Sequence, residues 1–305
     1  MVRRGKEKVI AFVPAYNERL YVGHVLEPLV AAKKAGLIED ILVVDGGSND
    51  GTLDEVGDVL GGNIWAASLG PKKKRDSGNL EVKLKHGTAI IHGRNWGKAR
   101  AFITAARYCQ EEGATMMFMT DADLENLSID AIGRLLKEIS KKSGEERHEN
   151  GPWMASAGVS QRGDARHYDG FCPPEFSGVR VISKEVWELV IGPYNNPKEQ
   201  RVARTLFPEL LSDDIVDPSR GYGLETGLET IVPKDMKSEN VFLKYGLSLM
   251  SRGRGKGQYN LKQIERGVKR AKKAAEKAKG FRGDEIEDIS RPLSKSPKTR
   301  RTDKN

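Results

Sequence analysis

Ala114-Thr115-Met116-Met117-Phe118-Met119-Thr120-Asp121-Ala122-Asp123 decides how this chain is read. Its first six residues form a short apolar run that predicts a fully buried strand. At the exit stand two carboxylates one residue apart, and an extended backbone directs both to the same side. Two anions that close repel unless a cation or a proton shares them. A divalent metal that also grips a nucleotide diphosphate suits the pair, because Mg²⁺ is commonly held by one or two carboxylates plus phosphate oxygens. Taken alone, an Asp-x-Asp turn capping the next helix is the plainer reading.

The flanking sequence changes that balance. Residues 9–13, 41–44 and 88–91 predict three further buried strands. Residues 20–35, a short segment from Thr52, and residues 98–110 predict helices, and Ser128 is placed to cap another. Such alternation predicts an α/β chain, a mainly parallel central sheet with helices on both faces. Residues 67–87, with Lys72-Lys73-Lys74-Arg75 and Asp76-Ser77-Gly78-Asn79, read as a polar loop or hairpin. Beyond residue 150 the pattern loosens to a strand over 153–159 and helices over 184–191 and 200–211. Trp187 and Phe207 are expected in the core.

Composition sets outer bounds. A chain of 305 residues, 38% hydrophobic, can build one large α/β domain or two modest ones. No stretch approaches the ~20 apolar residues of a membrane span, and Met1-Val2-Arg3-Arg4-Gly5-Lys6 lacks an apolar signal core, so a cytoplasmic protein is expected. Cys109 and Cys172 supply neither a disulfide framework nor a cysteine zinc site. The net charge of +8 is uneven: residues 252–305 hold 18 Lys and Arg against 7 Asp and Glu, so the remainder of the chain is slightly acidic. The expected division is a domain over 1–251 and a basic C-terminal tail over 252–305. Within the tail, residues 261–279 predict a cationic helix with a thin apolar stripe, and 281–305 carry few apolar residues.

Four strand exits carry polar or glycine-rich residues: Pro14-Ala15-Tyr16-Asn17-Glu18, Asp45-Gly46-Gly47-Ser48-Asn49-Asp50-Gly51-Thr52, His92-Gly93-Arg94-Asn95-Trp96-Gly97-Lys98, and Asp121-Ala122-Asp123-Leu124-Glu125. In an open parallel sheet ligands bind beyond the carboxyl ends of the strands, so all four face one rim. That agreement outweighs the turn-only reading of Asp121 and Asp123. A dinucleotide fold would need G-x-G-x-x-G after the first strand, and a P-loop would need G-x-x-x-x-G-K-[ST]. Neither is present.

Phe12-Val13-Pro14-Ala15-Tyr16-Asn17-Glu18, Val43 to Thr52, Gly97-Lys98-Ala99 and Asp121-Ala122-Asp123-Leu124 resemble the successive motifs of family-two glycosyltransferases, whose fold is GT-A. The resemblance spans residues 8–130 in order. Phe176 to Ser183 and Gly221 to Thr226 are similar to acceptor-side segments of two relatives, polyprenyl-phosphate hexosyltransferases and glucosyl-3-phosphoglycerate synthases.

The resemblance implies roles. Pro14, Ala15, Tyr16 and Glu18 would line the nucleoside site, with Asp45 accepting from base or ribose and Ser48 assisting. The bland alternatives are a glutamate favouring a helix dipole and an aspartate capping its own turn. The family often has two acids where Asp45 stands, and here the second is Gly46. Lys98 and Arg94 would offset diphosphate charge. A lysine in a helix's first turn opposes the dipole, which favours a functional reason for Lys98. Asp123 would bind Mg²⁺ or Mn²⁺ directly, Asp121 would meet ribose or metal, and Glu125 would be an added ligand or a sugar contact. Arg180 would face an anionic acceptor or form a surface ion pair. Glu225 would contact sugar hydroxyls or act as base, unless it is a plain helix-terminus glutamate. Some glycerate-using relatives supply a late histidine to the metal, and this chain has none after His167. His167 itself falls in a segment readable as a flap.

The implied reaction is hexosyl transfer from a nucleotide diphosphate sugar to a phosphate-bearing acceptor, either polyprenyl phosphate or a small molecule like 3-phosphoglycerate. The basic tail could touch an anionic membrane peripherally. It lacks the interleaved aromatics of a nucleic-acid surface. Two other classes compete: a sugar-phosphate nucleotidyltransferase, which would place a glycine-rich basic loop after the first strand, and an inactive, basic-tailed nucleic-acid-binding protein.

Overall fold

β1 (Val9–Ala15), β2 (Asp40–Asp45), β4 (Thr88–Ile91) and β5 (Met116–Met119) run parallel through the middle of an eight-stranded sheet. This is a computed structural model that describes residues 7–64, 79–140, 154–157, 159–162, 169–172, 178–192, 224–232, 237–238 and 249–252. Between the strands lie α1 (Val22–Lys34), α2 (Thr52–Leu60), α3 (Lys98–Glu111) and α4 (Ile129–Ser140). β3 (Leu80–Lys83) pairs antiparallel with β4 and closes one edge, so the polar stretch before β4 ends in a hairpin arm.

The other half of the sheet is assembled out of chain order. β6 (Met154–Ser156), β9 (Arg180–Ser183) and β10 (Lys237–Ser238) complete the order β10-β6-β9-β5-β1-β2-β4-β3. β9 is antiparallel to both of its neighbours, β5 and β6. No strand is expected from the sequence over this segment, which stands out there only by its resemblance to an acceptor-side motif. The single strand expected over 153–159 is instead broken. β6 belongs to the main sheet, whereas β7 (Val159–Arg162) joins β8 (Asp169–Cys172) and β11 (Leu249–Arg252) in a second sheet. α5 (Lys184–Ile191) and α6 (Leu224–Ile231) follow. The expected helices over 200–211 and 261–279, Phe207, His167 and nearly all of the tail lie outside the described residues.

Alternation along the strands builds a core on each face. Val9, Ala11 and Val13 of β1, with Ile41 and Val43 of β2, pack towards Val25, Leu26 and Leu29 of α1, Val56 of α2 and Leu135 of α4. Ile10 and Phe12, with Leu42 and Val44, pack towards Phe102 and Ala106 of α3, Trp187 of α5 and Leu228 of α6. Strands apolar on both faces are what a parallel sheet covered by helices on both sides requires. Trp187 is in the core as expected, and Cys109 packs beside Phe102 and Ala106, where burial pushes its thiol pKa up. Ser128 caps α4 as the sequence implies, its Oγ accepting from Ala131 N at 3.2 Å.

Candidate active site

The carboxyl ends of β1, β2 and β4 are level, and β5 stops three residues short of them. Ala15, Asp45 and Ile91 lie in one cross-strand row, and β5 ends opposite Phe12. The four loops therefore leave from one edge, and hydrogen bonds stitch the first two together. Asn17 adopts a left-handed conformation (φ 56°); its backbone N donates to Ser48 Oγ at 2.9 Å and its Oδ1 accepts from Asn49 N at 3.1 Å. Glu18 N donates to Thr52 Oγ1 at 2.8 Å, and Gly46 N donates to Ala15 O at 2.8 Å.

Asp45 organises the second loop. Its Oδ1 accepts from the backbone N of Gly47 and Ser48, each at 2.8 Å, and its Oδ2 accepts from Ser48 Oγ at 2.6 Å. The side chain is fully buried. Burial pushes its carboxyl pKa up, while the Ser48 and Gly47 donors pull against that shift. Gly47 holds φ 81°, and a Cβ there would press on His92 O and Arg94 Cα of the third loop. A Cβ on Gly46 would meet Tyr16 Cδ2 at 3.2 Å and Asn95 Oδ1 at 3.4 Å. The position where the resembling family often carries a second acid is thus the point where the first, second and third loops touch, and the close approach favours glycine.

The third loop hands the chain to α3. Asn95 Oδ1 accepts from Gly97 N at 2.8 Å, and Arg94, exposed, stacks its guanidinium 3.8 Å from the centre of the Trp96 ring. Behind them His92 is buried against Thr104, with Nε2 and Oγ1 3.0 Å apart. Burial, helped by Arg100, lowers its pKa to about 4.

Lys98, in the first turn of α3, ties the rim to the later half of the chain. Its Nζ donates to Asp121 Oδ1 and, at 2.5 Å, to Glu225 Oε1 at the start of α6. Burial alone would lower the Lys98 pKa; the two carboxylates outweigh it and keep the ammonium protonated, above its ordinary value. Gly178 lies against this pair, where a Cβ would overlap Asp121 Oδ1, Asp121 Oδ2 and Lys98 Nζ. Neither Gly178 nor its contact was identified from the sequence, although it sits inside the quoted Phe176 to Ser183 segment.

Arg180, expected to face an anionic acceptor or the surface, instead lies fully buried, with Nη1 3.1 Å from Glu229 Oε1. Glu229 also pairs with Lys237 at 3.2 Å and accepts from Ser156 Oγ at 3.4 Å. A buried guanidinium needs such a partner. Glu225 and Glu229 are one helical turn apart, so α6 presents one carboxylate to Lys98 and the next to Arg180. That spacing was available in the sequence as a signal for Glu229.

Asp123 and Glu125 are half-buried beyond β5, and Tyr16 is 45% exposed at the first loop. Among the described residues, no three His, Cys, Asp or Glu side chains gather closely enough to hold one ion. Asp121, Asp123 and Glu125 are thus not assembled as a three-carboxylate set, and Asp121 turns onto Lys98. The donors still suit a hard divalent cation with few protein ligands. Asp121 and Asp123 offer carboxylate oxygens, and an ammonium already sits against Asp121 as a cation would.

Comparison with solved structures identifies the architecture. Mannosyl-3-phosphoglycerate synthase from Rubrobacter xylanophilus aligns with 94% of this chain and 79% of its own, at 15% identity and a TM-score of 0.50. Glucosyl-3-phosphoglycerate synthase from Mycobacterium tuberculosis, in complex with Mn²⁺, UDP-glucose and phosphoglyceric acid, aligns with 87% of this chain and 80% of its own, at 14% identity and a TM-score of 0.53. The fold is GT-A. No family model and no curated protein sequence matches the chain. The GT-A neighbours are glycosyltransferases, and no helix among the described residues is long and apolar enough to cross a membrane.

Proposed function

We propose that this chain is a metal-dependent hexosyltransferase that moves a sugar from a nucleotide diphosphate to a phosphate-bearing acceptor. The observation that carries the reading is the convergence of four strand exits on one rim, with Lys98 and Asp121 in contact at its centre. A fold shared with sugar-phosphoglycerate synthases supports it. The nucleoside is assigned to the first two loops: Pro14, Ala15, Tyr16 and Glu18 form the wall, and Asp45 with Ser48 fixes the floor. Because both Asp45 oxygens already accept hydrogen bonds, its main part is to hold the Gly47–Ser48 backbone in place for the ligand.

Asp123 and Asp121 are the residues that would hold Mg²⁺ or Mn²⁺, with Glu125 as a further ligand or a sugar contact. When bound, the ion neutralises charge building on the departing diphosphate. Lys98 and Arg94 add positive charge at the same place, and stabilisation of developing charge is usually the largest part of such catalysis. Glu225 orients Lys98 and borders the space where sugar and acceptor would meet. A phosphate acceptor oxygen is already anionic near neutral pH; a glycerate hydroxyl would hand its proton to Glu225 or to the substrate's own carboxylate. We assign Arg180 to the support of α6. Soluble 3-phosphoglycerate-like acceptors are favoured over polyprenyl phosphate because the GT-A neighbours act on the former.

The test is direct. Protein with Mn²⁺ or Mg²⁺ is incubated with a panel of radiolabelled sugar nucleotides, with 3-phosphoglycerate and polyprenyl phosphate offered separately. Label entering one product, and lost in Asp123→Ala, is the expected result. Label entering neither, or an unaffected variant, overturns the assignment.

A further inference from the structure

Lys98 occupies an unusual place for a residue meant to meet a diphosphate. Its ammonium is already between two carboxylates, Asp121 and Glu225, and the backbone at Gly178 leaves no room beside them for even a methyl group. The lysine side chain is only 23% exposed and Glu225 10%. Asp121 is also one of the two carboxylates assigned above to the metal. One oxygen of Asp121 therefore already serves a built-in cation.

We propose that Lys98 is a tethered cation that competes with the divalent ion at Asp121, and that the incoming diphosphate resolves the competition by drawing the ammonium away. This inference rests on the functional reading above. Charge on the cluster explains the design. Lys98, Asp121 and Glu225 sum to −1, and without the lysine two carboxylates would face each other across a few ångströms, which is costly when both are partly buried. The ammonium relieves that repulsion. A divalent ion held by Asp121 and Asp123 would repel the ammonium, and the two phosphate groups of a diphosphate would offer it a new counter-charge. The lysine stem is long enough to swing while Glu225, fixed through α6, keeps it near the rim. Metal and diphosphate then bind with positive cooperativity, because each removes the obstacle to the other, and such coupling is reciprocal.

The experiment measures Mn²⁺ binding by the full chain through loss of the free-ion paramagnetic resonance signal, with and without a nucleoside diphosphate, each read as the further loss beyond the same mixture lacking protein, because the diphosphate itself chelates Mn²⁺. Wild-type protein is expected to bind Mn²⁺ weakly alone and about tenfold more tightly with the diphosphate. Lys98→Met is expected to bind Mn²⁺ alone about tenfold more tightly than wild type and to gain little from the diphosphate. Lys98→Gln serves as a second variant of similar reach, and the rise in melting temperature on adding Mn²⁺ is read for both, so a destabilised variant still reports. A larger Mn²⁺-induced rise in the variants supports the inference. Variants that bind Mn²⁺ no more tightly than wild type, while wild type still takes up the ion with the diphosphate, overturn this inference and leave the functional reading standing. No Mn²⁺ uptake by any protein under either condition overturns both.

Discussion

The two ends of the sheet solve the same problem in different ways. At the carboxyl end Lys98 meets two carboxylates, the loops take left-handed conformations at Asn17 and Gly47, and Arg94 stands exposed on Trp96. At the amino end Lys83 donates to Tyr108 Oη at 2.8 Å, and Tyr108 donates in turn to Asp40 at 2.9 Å and lies 2.9 Å from Thr88 Oγ1. Lys33 completes the cluster on Asp40, also at 2.8 Å. Here the Tyr108 hydroxyl stands between Lys83 and Asp40, while Lys33 meets Asp40 directly. The difference teaches where the molecule crowds charge: at the carboxyl end two carboxylates close on one largely buried ammonium, whereas at the amino end the lysine shared by Glu81 and Glu112 is 58% exposed and reaches them only at 3.5 and 3.8 Å.

The comparison breaks first on activity. Asp123→Ala is expected to lower the transfer rate on the order of 100- to 1000-fold, the range for losing a group that stabilises developing charge, while the melting temperature stays nearly unchanged. Initial rates at saturating donor would reveal it, and a variant of near wild-type rate would place the chemistry elsewhere.

Gly178→Ala comes next. Its new methyl must displace Asp121 or Lys98, so urea titration should register a loss of about 1–3 kcal/mol, as for other overpacked sites. Mn²⁺ uptake should change with it. A neutral substitution would mean that the backbone there gives way freely.

A third measurement sharpens the contrast through pH. The folded-state pKa of His92 is about 4, below the ordinary 6.5, so the unfolded chain takes up a proton in that interval and the folded one does not. Stability contributed by neutral His92 is full above pH 6.5 and is lost as pH falls towards 4, at up to about 1.4 kcal/mol per pH unit. Urea unfolding at pH 7 and pH 5 should show this slope reduced in His92→Gln.

Tyr108→Phe gives the smallest effect, about 1 kcal/mol of stability for the lost hydrogen bonds, with no change in transfer rate. A rate defect in that variant would erase the division of labour between the two ends.

Much of the carboxyl end was legible because its residues lie close together in sequence. Pro14 to Glu18, Asp45 to Thr52 and Asp121 to Asp123 each follow an apolar run, and period and punctuation place them at strand exits. Lys98 was legible through its mismatch with the helix dipole. What escaped depends on distant pairing. β9 reaches β5 across some sixty residues and runs against it, and nothing local to Val179-Arg180-Val181-Ile182 encodes that partner. For the same reason the sequence left Arg180 open between an acceptor contact and a surface ion pair, without its burial against Glu229, and carried no sign that Gly178 touches Lys98 and Asp121. The amino-end cluster was equally hidden, since Asp40, Lys83, Thr88 and Tyr108 are scattered along the chain.

The antiparallel insertion of β9 also shapes how the protein is made. During synthesis β1, β2, β4 and β5 can pair as soon as residue 119 has emerged, yet the far side of β5, Met116-Met117-Phe118-Met119, stays a bare hydrophobic strand edge until Ser183 follows. Bare edges of that kind recruit other chains. A ribosome pausing between those two points would hold the nascent chain with that edge uncovered, and a fragment cut after α4 would carry the same hazard permanently.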